Sequence, residues 1–146
     1  MTPPLILQSS FSSPHPPVLP KVMIMSNVET VAQRYIHIWN ETDPAARRAQ
    51  VAALWIEDGT YYVKLREVHG HADLETRVAT SHQTNVVEKN YTFEVAGGVE
   101  PLRDMVKFNW RMVPQAGGAI AATGSIVLLL ASDGRIRTDY QFIDPD

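Results

Sequence analysis

Tyr35, His82 and Asp139 are the side chains in this sequence whose types and settings could move or hold a proton. A tyrosine phenol in a dry site can donate a hydrogen bond to a developing oxyanion. A histidine near neutral pH can carry a proton, and a carboxylate shielded from water can act as acid or base. Each also has a plain structural reading: Tyr35 as a core tyrosine, His82 as a hydrogen-bonded core histidine, and Asp139 as half of an ion pair with its neighbour Arg137. His69 and His71 flank Gly70 but have no third ligand nearby, so no metal is expected. The chain lacks cysteine, which removes disulfides, thiolate metal sites and cysteine nucleophiles together. It also lacks a nucleophile elbow and a glycine-rich phosphate loop, so no cofactor is expected.

These side chains have to be positioned by a chain of 146 residues, the size of one domain with its own core. The net charge is −3 and the thirteen Lys and Arg are scattered, which argues against nucleic acid as a partner. The longest apolar run, Ile126 to Ala131, is far short of the roughly 20 residues of a membrane span. Residues 1–24, rich in Pro and Ser, read as a disordered tail. Leu5, Ile6 and Leu7 are followed at once by Gln8, Ser9 and Ser10, too brief a stretch for a secretory signal, and a cytoplasmic location is expected.

Residues 25–146 read as one domain. Ser26 and Glu29 have capping-box spacing and predict a helix start, after which Val28, Ala32, Tyr35, Ile38 and Trp39 share one face. Asp43 and Pro44 predict the N-cap and first residue of a second helix, running through Leu54 and Trp55 and stopping near Asp58 and Gly59. A short strand from Thr60 to Leu65 follows. A third helix from about Ala72 to Thr84 carries Leu74, Val78 and His82 on one stripe. The pattern then changes to period two in Tyr91 to Val95, Met105 to Val113, Ala119 to Ala131 and Arg135 to Ile143. The expected architecture is α+β: three N-terminal helices covering one face of a strongly curved, mostly antiparallel sheet, with a pocket between the layers.

Strand parity predicts which side chains face the helices: Val106, Phe108, Trp110 and Met112; Ile126, Leu128 and Leu130; Arg137, Asp139, Gln141 and Ile143. A one-residue slip would instead put Asn109, Arg111, Thr138 and Tyr140 inside. Trp39, Trp55, Tyr61, Phe108 and Trp110 read singly as core, and together they favour an apolar or aromatic ligand.

The stretches VETVAQRYIHIWNETDP, LWIEDGTYYV, GHADLETRVA and DGRIRTDYQFIDPD, taken in order, resemble the nuclear transport factor 2-like superfamily, in particular its SnoaL-like polyketide cyclase and ketosteroid isomerase branches. The resemblance covers nearly the whole chain after the tail and implies a cone-shaped fold, a pocket and pairing as a homodimer through the outer sheet face. It matches Tyr35 to the oxyanion-stabilising tyrosine of the isomerases. Their general-base aspartate falls on Val63 and their donor aspartate on Ile126, so steroid isomerisation by that route is excluded. The charged triad of the limonene-type epoxide hydrolases falls on Phe108, Val106 and Gln141 and is equally absent. Two readings stay open. One is a cofactor-independent isomerase, cyclase or lyase acting on an apolar carbonyl compound, with Tyr35 polarising the oxygen and Asp139 or His82 moving the proton. The substrate would be lined by Trp39, Trp55, Tyr61, Val63, Phe108, Trp110, Ile126, Leu128 and Gln141. The other is a non-catalytic ligand-binding or dimerisation domain.

Overall fold

The protein is described here from a computed structural model covering residues 21–146, with side chains from Asn27 onward. Residues 1–20 of the expected tail lie outside the described residues. Three helices, α1 (Lys21–Asn40), α2 (Pro44–Leu54) and α3 (Gly70–Ser81), pack with a six-stranded sheet. Its strands are β1 (Trp55–Val63), β2 (Arg66–His69), β3 (Tyr91–Leu102), β4 (Met105–Pro114), β5 (Ala122–Leu130) and β6 (Ile136–Ile143). The spatial order is β2-β1-β6-β5-β4-β3; every pair is antiparallel except β1 with β6. The sheet is open, and the expected α+β layout of three helices on a mostly antiparallel sheet is what the chain adopts. Among the described residues no helix is long and apolar enough to cross a membrane.

Several boundaries differ from the sequence reading. Helix α1 is already formed at Lys21, so Ser26 and Glu29 lie inside it; the last proline before it is Pro20, and no breaker separates Lys21 from Ser26. Asp43 does cap α2, accepting from the Ala45 N–H at 3.3 Å with Pro44 in the first turn. That helix ends at Leu54, earlier than expected, because Trp55 is already extended and paired with Ile136 of β6. Strand β2, four residues without an apolar period, was not expected. Helix α3, expected from about Ala72 to Thr84, spans Gly70–Ser81 and gives way at His82 to a π-helical turn, His82–Glu88.

The helices meet the sheet through apolar faces and one amide. Val28, Ala32, Tyr35, Ile38 and Trp39 are buried along α1, which packs on β3 and β4. At the end of α1 the Asn40 side chain imitates a neighbouring strand: its Nδ2 donates to the Phe93 carbonyl and its Oδ1 accepts from the Phe93 N–H, both at 2.8 Å. Arg47, only 6% exposed, donates from Nε and Nη2 to the Glu41 carbonyl and so ties α2 to the chain just beyond α1.

Across the concave face of the sheet, side chains fall into rows. Tyr61, Asp139, Leu128 and Val106 are successive partners, then Val63, Gln141, Ile126 and Phe108, then Ile143, Gly124, Trp110 and Val95. The parity assigned to β4 and β5 therefore holds, and the slipped alternative is not the one adopted. Arg137 is the exception. A bulge between Leu129 and Leu130 shifts the register so that Ile136 turns inward and Arg137 outward, where it reaches Asp104 at 3.4 Å.

Replacing Asn40 by Ala removes both bonds to Phe93 and strands its N–H under α1. We expect a loss of about 1–3 kcal/mol in chemical unfolding, with Asn40→Asp, which keeps the acceptor, less damaging. Equal stability of Asn40→Ala and the parent would show that the amide does not hold α1 to β3.

Candidate functional site

A cavity of about 180 Å³ lies between α1, α3 with its π-turn, and strands β3 to β6. Helix α1 contributes Tyr35, Ile36 and Trp39; α3 and the turn contribute Arg77, Ser81 and Asn85. The sheet supplies Phe93, Trp110, Met112, Ala122, Ile126, Gln141 and Ile143. The space beside Trp110 depends on Gly124, because a Cβ there would sit 2.6 Å from the indole and closer still to the Phe142 carbonyl.

Tyr35 is at the centre of an aromatic cluster. Its ring lies 6.0 Å from Trp39, 5.7 Å from Trp55 and 5.8 Å from Phe108, the last edge-on. Its hydroxyl is buried and closes no hydrogen bond. Burial, then the facing Asp139 carboxylate, push the phenol well above its ordinary pKa, so it keeps its proton and acts as a donor. Asp139 is 0% exposed with both oxygens unpaired. Burial holds its carboxyl well above the usual range, and the Tyr35 hydroxyl only partly offsets this. The two groups are near enough to shift each other's proton affinity, although no hydrogen bond of good geometry joins them.

The expected site residues separate into four groups. Tyr35, Trp39, Trp110, Ile126 and Gln141 line the cavity. Asp139, Trp55, Tyr61, Phe108 and Leu128 are buried in the layer behind it, Asp139 against Tyr35. Val63 faces an adjoining surface cleft instead. His82 is buried but is not a lining residue: the charges that reach it are those of Arg47 and Glu41, and burial, then Arg47, lower its pKa. It is therefore not placed to act with Tyr35. Asp139 forms no pair with Arg137, which lies on the opposite face. His71 is engaged with the Trp55 carbonyl at 2.8 Å, and among the described residues no cluster of three or more metal-ligating side chains occurs.

Arg77 was missed. Its guanidinium carbon lies 5.8 Å from the ring centroids of both Trp39 and Tyr61, and its Nε is buried without a partner. Tyr61 donates from its hydroxyl to the Gln141 Oε1, and burial raises its pKa to about 12 against the opposing pull of Arg77. Four lining residues thus present buried donors with no protein acceptor: the Tyr35 hydroxyl, the indole N–H groups of Trp39 and Trp110, and Arg77 Nε.

A carboxyl whose folded pKa is raised holds its proton to higher pH in the fold than in the unfolded chain. Asp139 therefore destabilises the fold increasingly as pH rises from its ordinary value of 3.8 through its raised folded value. We expect Asp139→Asn to melt higher than the parent, by a margin that widens from about pH 4 to about pH 8. A margin that is flat or shrinks with pH would show Asp139 to be ionised in the fold.

No protein-family model and no curated protein matches the chain. Solved structures do. A SnoaL-like family protein from Agrobacterium tumefaciens, provisionally named an isomerase, is similar at 29% identity and a TM-score of 0.76, covering 83% of this chain and 100% of that one. A nuclear transport factor 2-like protein of unknown function from Exiguobacterium is similar at 20% identity and a TM-score of 0.62, over 80% of this chain and 99% of that one. A provisionally named polyketide cyclase from Sinorhizobium meliloti shares the fold at 12% identity and a TM-score of 0.59, over 77% and 93% of the two chains. With its open, mixed sheet wrapped against three helices, the chain has the fold of the nuclear transport factor 2-like proteins and is similar to a SnoaL-like one among them.

Proposed function

We propose that the cavity binds an apolar small molecule through a carbonyl oxygen, and that Tyr35 polarises this oxygen in a cofactor-independent isomerase, cyclase or lyase reaction. The observation that carries the reading is the set of unpaired donors. Tyr35, Trp39, Trp110 and Arg77 all line one small cavity with largely apolar walls, and each carries a buried N–H or O–H group that closes no hydrogen bond within the protein. Buried donors are stabilised by acceptors, and a carbonyl on an apolar body supplies one. The size fits a molecule of about one ring, since a dry cavity of about 150 Å³ accommodates benzene.

In this mechanism the Tyr35 hydroxyl donates to the carbonyl oxygen. As negative charge develops there, the bond strengthens while the raised pKa keeps the proton on the phenol. Asp139, held in its acid form by burial, donates in turn to the phenol oxygen and makes Tyr35 a stronger donor. With no carboxylate or imidazole in the described lining, the C–H proton passes to a water molecule at the cavity mouth, and solvent returns a proton at the product carbon. The likeness to the SnoaL-like protein from Agrobacterium tumefaciens that is provisionally named an isomerase supports a reaction of this class. A second reading, binding without catalysis, is favoured by one specific observation: no carboxylate or imidazole is among the lining residues, so the cavity offers no ready base. A homodimer through the outer sheet face is proposed on the resemblance, supported by Tyr140 and Phe142, which are exposed there at 38% and 55%.

Exchange of the α-protons of 4-phenylbutan-2-one in deuterated buffer, followed by proton NMR, separates the readings. We expect the protein to accelerate exchange and Tyr35→Phe to lose about 100-fold of that acceleration, the scale of one oxyanion donor. Binding with no acceleration would leave the non-catalytic reading, and acceleration unchanged in Tyr35→Phe would remove Tyr35 from the mechanism.

A further inference from the structure

Among the described residues, Arg77 is the single charged one that lines the cavity, and it takes part in no ion pair there. Four other arginines, Arg48, Arg111, Arg135 and Arg137, each hold a carboxylate. A guanidinium remains charged at any physiological pH, so Arg77 places a permanent positive charge at an otherwise uncharged cavity. Two aromatic rings hold it there at equal distance, 5.8 Å from each centroid, which fixes its position more firmly than an exposed arginine would be fixed.

Arg77 also lines the surface cleft that adjoins the cavity, together with Val63, Lys64, Leu65, Arg66, Glu67 and Ile143. Ile143 is shared between cavity and cleft as well, so the two meet at Arg77 and Ile143. The cleft carries three cations, Lys64, Arg66 and Arg77, against the one acid Glu67, and Glu67 has His69 at 3.8 Å. The approach to the cavity is therefore positive, and the field of Arg66 extends as far as the Tyr61 hydroxyl.

We infer that the ligand is an apolar oxo acid: a hydrocarbon body of about one ring in the cavity, a carbonyl oxygen at Tyr35, and a carboxylate paired with Arg77 where cavity and cleft meet. This rests on the proposed reading of the cavity as a carbonyl-binding site. The planar guanidinium suits a carboxylate, which it can hold through two parallel N–H donors, and the partial shielding by Trp39 and Tyr61 strengthens the pair relative to one in open water. The apolar walls formed by Phe93, Trp110 and Ile126 exclude a small inorganic anion as the preferred occupant, since it would leave them uncovered.

The test compares the oxo acid 4-oxo-4-phenylbutanoate with the ketone 4-methyl-1-phenylpentan-1-one, which has nearly the same shape and keeps the carbonyl but lacks the charge. Binding is read from the indole N–H resonances of Trp39 and Trp110 on titration of the full chain, with inorganic phosphate as a third probe. We expect the acid to bind about tenfold tighter than the ketone, ~1.4 kcal/mol. Arg77→Gln should bring the acid-to-ketone affinity ratio down to about one, and Arg77→Lys, which keeps the charge but not the planar fork, should retain part of the preference. Equal affinity for acid and ketone, or a preference that survives in Arg77→Gln, overturns the acid assignment and leaves the carbonyl site standing. Phosphate binding as tightly as the acid also overturns it, in favour of a simple anion site. Failure of acid and ketone alike to move either indole resonance overturns the carbonyl site, and the acid assignment with it. Should Arg77→Gln fold poorly, the acid-to-ketone ratio in the parent and in Arg77→Lys still decides.

Discussion

The parallel pairing of β1 with β6 is the constraint on which the rest of the structure turns. Trp55 sits opposite Ile136, and the next paired residues are Thr60 and Thr138, so five steps along β1 correspond to two along β6. Between these pairs β1 carries four residues, Ile56 to Gly59, against the single Arg137 of β6. Gly59 is required there: a Cβ would lie 2.9 Å from the Trp55 ring and 3.1 Å from the Ile56 carbonyl. Once pairing resumes, Tyr61 meets Asp139 and Val63 meets Gln141, with those side chains turned to the concave face. The carboxyl behind Tyr35 and the amide that accepts from Tyr61 are both put in place by this one resumption of register.

Burying Asp139 without a cation is costly, and that burial shifts its carboxyl toward the protonated form. The nearby arginines are directed elsewhere: Arg47 to the Glu41 carbonyl, Arg137 to Asp104, Arg77 to the rings of Trp39 and Tyr61. Charge in the interior is thereby separated into a neutral acid under Tyr35 and a permanent cation at the cavity mouth. Such a separation lets one small cavity offer hydrogen-bond donation at depth and full charge at the entrance.

Much of this arrangement was legible in the sequence because it follows from periodicity. The α1 face that carries Tyr35 and Trp39, and the alternation that carries Trp110, Ile126 and Gln141, are simple repeats of 3.6 and 2. The illegible parts are those where a repeat is interrupted. Arg137 was assigned inward because nothing in the sequence marks the bulge at Leu129 and Leu130. Trp55 looked helical because an apolar residue after Leu54 continues the α2 stripe, and only the partner strand reveals it as extended. Arg77 gave no signal because a long cationic side chain beside Val78 ordinarily reads as the solvated edge of a helix. What brings it over the cavity is its stacking on rings from α1 and β1, distant in sequence.

Near Tyr35 the lining groups without a partner are donors, and that bears on what this end of the cavity refuses. Tyr35, Trp39, Trp110 and Arg77 carry unpaired N–H or O–H groups and the Gln141 carbonyl oxygen is already taken up by Tyr61, while the other side-chain acceptors, on Ser81 and Asn85, belong to α3 and its π-turn. A molecule of the right shape ending in an alcohol or an amine would bring a donor into a space that has few acceptors to receive it. It would forfeit about 1–3 kcal/mol for each N–H or O–H left without a partner. The pocket would thus distinguish oxidised from reduced forms of the same carbon skeleton, admitting a ketone and disfavouring the corresponding alcohol, with no contact dedicated to rejecting it.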